Sequence, residues 1–405
     1  MSVPRPRKRL LVINHATTLG GASLSLEHIL KSIDTSEFDI SVYCRSDRQD
    51  FALHLESLGF NVIYGGSGPT PFAHFSGAEF PAFSVSAIAN VARILRDCVG
   101  ISRVLSKRFD LVIVNSMTLF WVGRLARSYG SRTAMFHRET FIRGRFGLRT
   151  GLIRHELLHG FDGVAYISEF DRSAAGDFRA ASTVISDKVD PSAYADIGRR
   201  QARRHLGIPD GYYVLHLGGA SRLKGPDTIL RALELIDQEV SLIFLGAESS
   251  QDMSREGSYR GSRLRSHADD YGKLLQRLAN SATLKERVLF RAASSDVNLY
   301  YLASDLVVFP SSSPHQARPI YEAGAARRLI LLSDFPNTKE FARDGVNCVE
   351  FPPGDASALA RRVNEAVRDP RMMQGLIQEN LRLTLLNHDV AKLSGEVDRF
   401  LRGVS

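Results

Sequence analysis

Short apolar runs alternate along the whole chain with stretches in which apolar residues recur every third or fourth position. In the first half the runs are Leu10–Asn14, Ile40–Tyr43, Val62–Tyr64, Leu111–Val114, Thr133–Phe136, Val164–Ile167 and Thr183–Ile185. In the second half they are Tyr213–Leu217, Leu242–Leu245, Val288–Phe290, Leu306–Phe309 and Leu329–Leu332. Between them, Ala22, Leu26, Ile29, Leu30 and Ile33 fall at helical spacing and predict one buried face. Val390, Leu393, Val397, Phe400 and Leu401 predict a packed final helix in the same way. Strands that alternate with helices predict parallel sheets with crossover helices, and two such series predict two doubly wound α/β domains. The turn-rich stretch Ser186–Arg200 reads as the linker between them, and the Ser/Arg-rich span Glu248–Asp270 reads as a long surface loop. Such domains bind ligands at the carboxyl ends of their strands, in the crevice between the two.

Length supports the division, since 405 residues exceed one ordinary core. Three cysteines, Cys44, Cys98 and Cys348, stand far apart and read as free thiols in a reducing compartment. No apolar run is long enough to span a membrane and no signal-peptide core precedes the first strand, so a cytoplasmic protein is expected. The net charge of +8 is unevenly placed: residues 101–154 hold eleven Arg/Lys against Asp110 and Glu139. That excess fits either solvated helix faces or an anionic partner. Within it Arg143, Arg145 and Arg149 are the candidates for an anionic acceptor or an acidic membrane face. Nucleic acid is not expected, because no recognition spacing or aromatic interleaving accompanies the arginines.

The candidate chemistry lies where strands break into helices. Thr17–Ser23 (TTLGGAS) follows the first strand, and Gly20 and Gly21 there allow either a plain turn or close approach of an anion to a helix N-terminus. The third glycine of a dinucleotide fingerprint is missing. Leu215–Gly225 (LHLGGASRLKG) offers a second glycine turn, Gly218-Gly219, followed by Arg222 and Lys224 at the start of a helix near Pro226. Two cations beside a helix N-terminus suit a diphosphate, above all one whose charge grows as it leaves. Glu322 opens the small-residue helix EAGAARR; there it either complements the helix dipole or accepts bonds from vicinal ribose hydroxyls. His137, in FHRETF at the end of Thr133–Phe136, serves either as a structural ring or as a hydrogen-bonding partner of a sugar. No Asp-x-Asp and no metal-ligand spacing occurs, so no metal is expected. No Gly-x-Ser-x-Gly of a serine hydrolase occurs either.

Taken in order, these pieces resemble the retaining, GT-B-fold glycosyltransferases of family 4 over nearly the whole chain. The matching segments are Gly20–Ala22, His137–Glu139, Val184–Asp190, Lys224-Gly225, Leu302–Ser311, Arg318–Ala325 and Asp344–Asp355. The resemblance implies two Rossmann-like domains facing each other across a cleft. Residues 1–188 would form the acceptor-side domain and 189–384 the nucleotide-sugar domain, with 385–405 crossing back as a C-terminal helix. It implies an NDP-sugar donor held by Gly20, Gly21, Gly219, Arg222, Lys224, His315, Gln316, Arg318, Ile320 and Glu322. Glu322 would take the ribose, and His137, Arg222 and Lys224 would be the catalytic set. Transfer would go without metal or cofactor to a lipid-linked or glycan acceptor. The sequence departs from the family pattern twice. Pro314 stands where a second glutamate usually touches the donor sugar, with His315 and Gln316 beside it, and Gly219 stands where an arginine usually precedes the lysine. Two other functions fit this architecture: a catalytically weak partner subunit, and a nucleotide-sugar 2-epimerase.

Overall fold

A computed structural model describes residues 6–15, 20–46, 49–66, 85–141, 147–195, 197–237, 239–254, 264–316 and 318–404. The chain divides into two compact units, one of residues 1–188 and 390–405, the other of residues 189–389. The second unit thus runs past the boundary expected at residue 384. The helix Gln374–Asn387 belongs to it, with Asn380 and Thr384 seated against Gly324, where a Cβ would lie 2.2 Å from the Thr384 hydroxyl.

The first unit is a parallel sheet of β1 (Lys8–Asn14), β2 (Phe38–Cys44), β3 (Asn61–Tyr64), β4 (Leu111–Asn115), β5 (Arg132–His137), β6 (Gly163–Tyr166) and β7 (Ser182–Val184). Its strand order is β3-β2-β1-β4-β5-β6-β7. Side chains alternate faces along a strand, and both faces of this sheet are covered. Leu10 and Val12 of β1 enter one apolar cluster with Leu26, Ile29 and Leu30, while Leu11 and Ile13 enter another with Val112, Val114 and Tyr166. This two-sided burial is why the strands read as unbroken apolar runs.

In the first helix, Gly21–Ser32, Leu26, Ile29 and Leu30 are buried as expected, but Ala22 is exposed and Ser23 and Ser25 are buried instead. A buried serine needs a partner, and Ser25 Oγ donates to Asp187 Oδ1 at 2.5 Å. Arg138 lies 3.3 Å from the same carboxylate, and its Nη1 donates to the Ile185 carbonyl. Lys188 Nζ donates to Glu396 Oε1 at 2.9 Å. The last helix, Leu393–Val404, buries Leu393, Val397, Phe400, Leu401 and Val404 in the first unit's core. Phe400 meets Phe136 edge to face at 5.5 Å. Gly163 makes the contact possible, since a Cβ there would lie 2.5 Å from Val404 Cγ2.

The second unit repeats the plan with β8 (Tyr212–Leu217), β9 (Val240–Leu245), β10 (Val288–Arg291), β11 (Leu306–Phe309), β12 (Leu329–Ser333) and β13 (Val349–Phe351) in the order β10-β9-β8-β11-β12-β13. Leu306 and Val308 face one core and Val307 and Phe309 the other. The expected loop Glu248–Asp270 is shortened by the helix Leu264–Ala279. Among its described side chains, Leu275 and Ala279 enter the apolar core. No described helix is long and apolar enough to cross a membrane. All three cysteines are free, and burial pushes the Cys44 thiol up to about 12.

Candidate functional site

In an open parallel sheet, loops diverge where the strand order reverses, and that divergence leaves a crevice at the carboxyl ends. In the second unit the reversal lies between β8 and β11. The loop after β8 turns through Gly218 (φ +117) and Gly219 (φ +60), conformations that glycine alone adopts without strain. A Cβ on Gly218 would lie 2.6 Å from Lys224 Cγ, so that glycine makes room for the lysine stem. A single 3-10 turn, Arg222–Lys224, then leads through Gly225 (φ +62) into the helix Pro226–Glu234, with Pro226 at its first position. Gly225 has no side chain to cap the helix. It sits so close to the loop after β11 that a Cβ would fall 1.8 Å from the Pro310 carbonyl oxygen. Ser312 fastens the two loops: its N–H donates to the Leu223 carbonyl at 3.0 Å and its hydroxyl to the Arg222 carbonyl at 2.8 Å.

Lys224 is half-buried in this seam, its ammonium 5.2 Å from the centre of the Phe309 ring and in a short hydrogen bond to His315 Nε2. Burial drives its pKa down to about 8, against the pull of the Glu322 carboxylate. His315 is held far below the ordinary histidine range by burial and by the Lys224 charge. Arg222 points outward, its guanidinium 5.5 Å over the Tyr271 ring. The Tyr271 hydroxyl donates to Asp227 in the first turn of the Pro226–Glu234 helix at 2.5 Å.

Glu322 is not in the first turn of its helix. The helix begins at Arg318, one turn earlier, and Glu322 Oε1 accepts from Arg318 Nε at 2.8 Å. The dipole reading of this carboxylate therefore fails. Glu322 is buried, and Oε2 accepts from the Tyr301 hydroxyl at 2.8 Å. Each carboxylate oxygen keeps a further lone pair for a ligand. Arg318 is thus the partner of Glu322. Ile320 gives its side chain to the apolar core and its carbonyl to Asn380 Nδ2 at 3.0 Å. Gln316 is partly buried beside His315.

In the first unit, Gly20 is extended (φ −177) and exposed at the start of the first helix, and Gly21 is exposed behind it. Residues 16–19 lie outside the described residues. His137 ends β5 with no accessible surface. Its Nε2 meets Met117 Sδ at 2.9 Å, and its ring lies 5.1 Å from Tyr166 and 5.9 Å from Phe141. Burial lowers its pKa despite Asp171 and Glu139 nearby, so the ring is a neutral core group as it stands. Among the described residues the ring has no exposed face to offer a sugar. Its neighbours in the motif are also structural: Glu139 Oε2 accepts from the Met117 N–H at 2.9 Å, and Arg138 serves the Asp187 network. Arg143 and Arg145 lie outside the described residues, as does the side chain of Arg149 in the helix Leu148–His159.

Three site residues escaped sequence reasoning. Tyr301 and Tyr194 pack edge to face at 6.2 Å beside Glu322, their phenols pushed up by burial and by that carboxylate. His216, on β8, is fully buried 5.1 Å from the Phe244 ring. Only its place at the end of an apolar strand signalled it. Among the described residues no three His, Cys, Asp or Glu side chains gather as a metal ion would need.

A glycine-turned strand, a lysine over the crevice and a buried carboxylate one strand away invite comparison with known proteins. The family of glycosyl transferases group 1 matches residues 198–382. The match spans nearly all of the second unit, which is similar to group 1 glycosyl transferases. D-inositol 3-phosphate glycosyltransferase of Xylanimonas cellulosilytica is 29% identical over 179 residues, which cover 43% of this chain and 39% of that protein. D-inositol 3-phosphate glycosyltransferase 1 of Catenulispora acidiphila is 25% identical over 259 residues, covering 56% of this chain and 58% of that one. The chain thus matches only about two-fifths to three-fifths of the length of these relatives. Anabaena Alr3699/HepE, solved in complex with UDP-glucose, is 19% identical with a TM-score of 0.76, over 98% of this chain and 100% of that one. The two parallel-sheet, Rossmann-like units are those of the GT-B fold. The matched span carries every second-unit residue assigned to the donor: Gly219, Arg222, Lys224, His315, Gln316, Arg318, Ile320 and Glu322.

Proposed function

We propose that this protein is a glycosyltransferase that takes a sugar from a nucleoside diphosphate donor. Transfer proceeds with retention and without a metal, onto a lipid-linked or glycan acceptor at an anionic cytoplasmic membrane face. The observation that supports donor binding above all is the Lys224 ammonium, held half-buried at the β8–β11 reversal beside a helix start that no side chain caps. A diphosphate there meets a point charge, N–H groups of the Pro226–Glu234 helix and the Arg222 guanidinium. Those groups gain most when the bond to the sugar breaks and charge builds on the leaving phosphate, which is the condition for lowering a barrier. Glu322, fixed by Arg318 and Tyr301, keeps lone pairs for vicinal ribose hydroxyls. HepE was solved with UDP-glucose, which makes a uridine donor the first to try.

The leaving-group work falls to Lys224 and Arg222, and His137 takes no part as its ring is placed. Calorimetry with UDP, GDP and ADP should find one nucleotide bound by the wild type. That affinity should fall by about 1.5–3 kcal/mol in Lys224→Ala and in Glu322→Ala. Affinity unchanged in both folded variants overturns the donor site. Transfer or slow donor hydrolysis that survives EDTA supports metal independence. Activity lost in EDTA and restored by a divalent ion removes it. Nucleotide binding with no turnover of any donor leaves the partner-subunit function in its place.

A further inference from the structure

The bond between Lys224 and His315 fixes more than a distance. An ammonium has hydrogens and no lone pair, so in this contact His315 Nε2 is the acceptor. The ring proton of a neutral imidazole then sits on Nδ1. His315 Nδ1 is buried and finds no acceptor among the described residues. The residue itself is anchored: its carbonyl accepts from Asn337 Nδ2 at 2.9 Å, and its ring lies 6.1 Å from Phe309, whose other contact is Lys224.

The charges that face Lys224 are few. Glu322 attracts it from the Arg318–Ala325 helix, but that carboxylate already accepts from Arg318 and Tyr301. His216, on β8, is neutral and feels the lysine's charge. His315, from the loop after β11, is the direct partner and carries no charge. Pro314, next to it, has no acceptor in its side chain.

We propose that His315 is the positioning residue for Lys224: a neutral acceptor that aims the ammonium without cancelling its charge. A carboxylate in that place would aim the lysine equally well and neutralise it locally. An imidazole leaves the whole positive charge for an anionic diphosphate. The same choice makes the site sensitive to alkali, because a half-buried ammonium with an uncharged partner loses its proton near pH 8. This role rests on the donor-site reading above, yet the pair itself can be tested without nucleotide.

In the ligand-free full chain, 15N spectra should show His315 with its proton on Nδ1. Lysine titration by NMR, with Lys224→Arg to assign the signal, should give a midpoint near 8. His315→Glu should raise that midpoint by about one unit or more, because a nearby carboxylate favours the charged lysine. His315→Gln, which offers a neutral oxygen acceptor, should hold the midpoint near the wild-type value. Uridine diphosphate affinity, measured from about pH 6 to about pH 9.5, should then follow the lysine. Wild type and His315→Gln should lose affinity as pH rises through the midpoint. His315→Ala should bind about tenfold more weakly at neutral pH. His315→Glu should bind more weakly at neutral pH but keep its affinity to higher pH. A His315 ring protonated on Nε2, or a Lys224 midpoint that ignores His315→Glu in a folded protein, overturns the assignment. If the wild type binds no nucleoside diphosphate, the donor reading fails, and the ligand-free titration still decides the role of His315.

Discussion

Replacing His216 by leucine should leave the protein as stable as before at pH 7.5 and make it markedly more resistant to acid. His216 has no accessible surface, and neither ring nitrogen makes a hydrogen bond of ordinary geometry to the described residues, although the Gly219 backbone lies close enough to favour the protonated ring. Burial therefore drives its pKa from 6.5 down to about 4, with the Gly219 backbone opposing and Lys224 adding to the shift. In the unfolded chain the same ring takes a proton below its ordinary value of 6.5. Between 6.5 and about 4 the unfolded state binds the extra proton, so stability is full above that window and is lost as pH falls through it. At 1.36 kcal/mol per unit, a shift of this size is worth about 3 kcal/mol. Leucine removes the proton site and leaves no orphaned polar atom behind. Urea unfolding of both proteins at several pH values gives the difference curve, in which the histidines common to both cancel. That difference should be small at neutral pH and grow toward about 3 kcal/mol near pH 4. A flat difference curve would show that the ring is hydrated or partnered in solution, and would refute the account.

Two further substitutions probe the frame around the site. Gly225→Ala meets the Pro310 carbonyl at 1.8 Å in a left-handed conformation, whereas Gly207→Ala shares the conformation (φ +60) but meets nothing within 4 Å. Thermal unfolding should show about 1–2 kcal/mol lost for Gly207→Ala and clearly more for Gly225→Ala, with weakened nucleotide binding in the second alone. Equal losses would mean that the two loops are not held as described. Phe400→Ala should cost the first unit about 3–5 kcal/mol, read by unfolding or by faster proteolysis of residues 390–404, because it empties the space against Phe136 and Gly163. A cost under about 1 kcal/mol would mean that the last helix contributes little to that core.

The fold was legible where burial on both sheet faces leaves no polar residue to interrupt a strand. Every expected strand, from Leu10–Asn14 to Leu329–Leu332, overlaps an observed one. β13 was missed because Glu350, in the middle of its three residues, leaves no apolar run. Glu322 was wrongly placed in its helix. The signal for a start well before Glu322 is Pro319, which a helix accepts best in its first turn. His137 shows the limit of position as a signal. Position at a strand's carboxyl end is shared by ligand contacts and by core residues, and only the walls formed by Met117, Tyr166 and Phe141 separate the two. The Lys224–His315 pair was out of reach for a further reason: the two stand on different loops, brought together by the β8–β11 pairing, which no local pattern encodes.

In the proposed donor site, that pairing also sets which ligands gain most from Lys224. A half-buried ammonium without a direct charged partner is costly, and burial lowers its pKa accordingly. A direct carboxylate partner would relieve it, but would also have to be displaced or outcompeted when an anion binds. With a neutral imidazole in that place, part of the electrostatic strain persists until a diphosphate arrives, and relief of it adds to binding. Nearby Glu322 softens the cost without ending it, because Arg318 and Tyr301 already share its charge. The arrangement therefore favours ligands that carry more negative charge close to Lys224. A nucleoside diphosphate should bind more tightly than the matching monophosphate, and the gap between them should close as pH rises through about 8. A gap that is independent of pH would place the second phosphate against Arg222 or the Pro226–Glu234 helix start instead of Lys224.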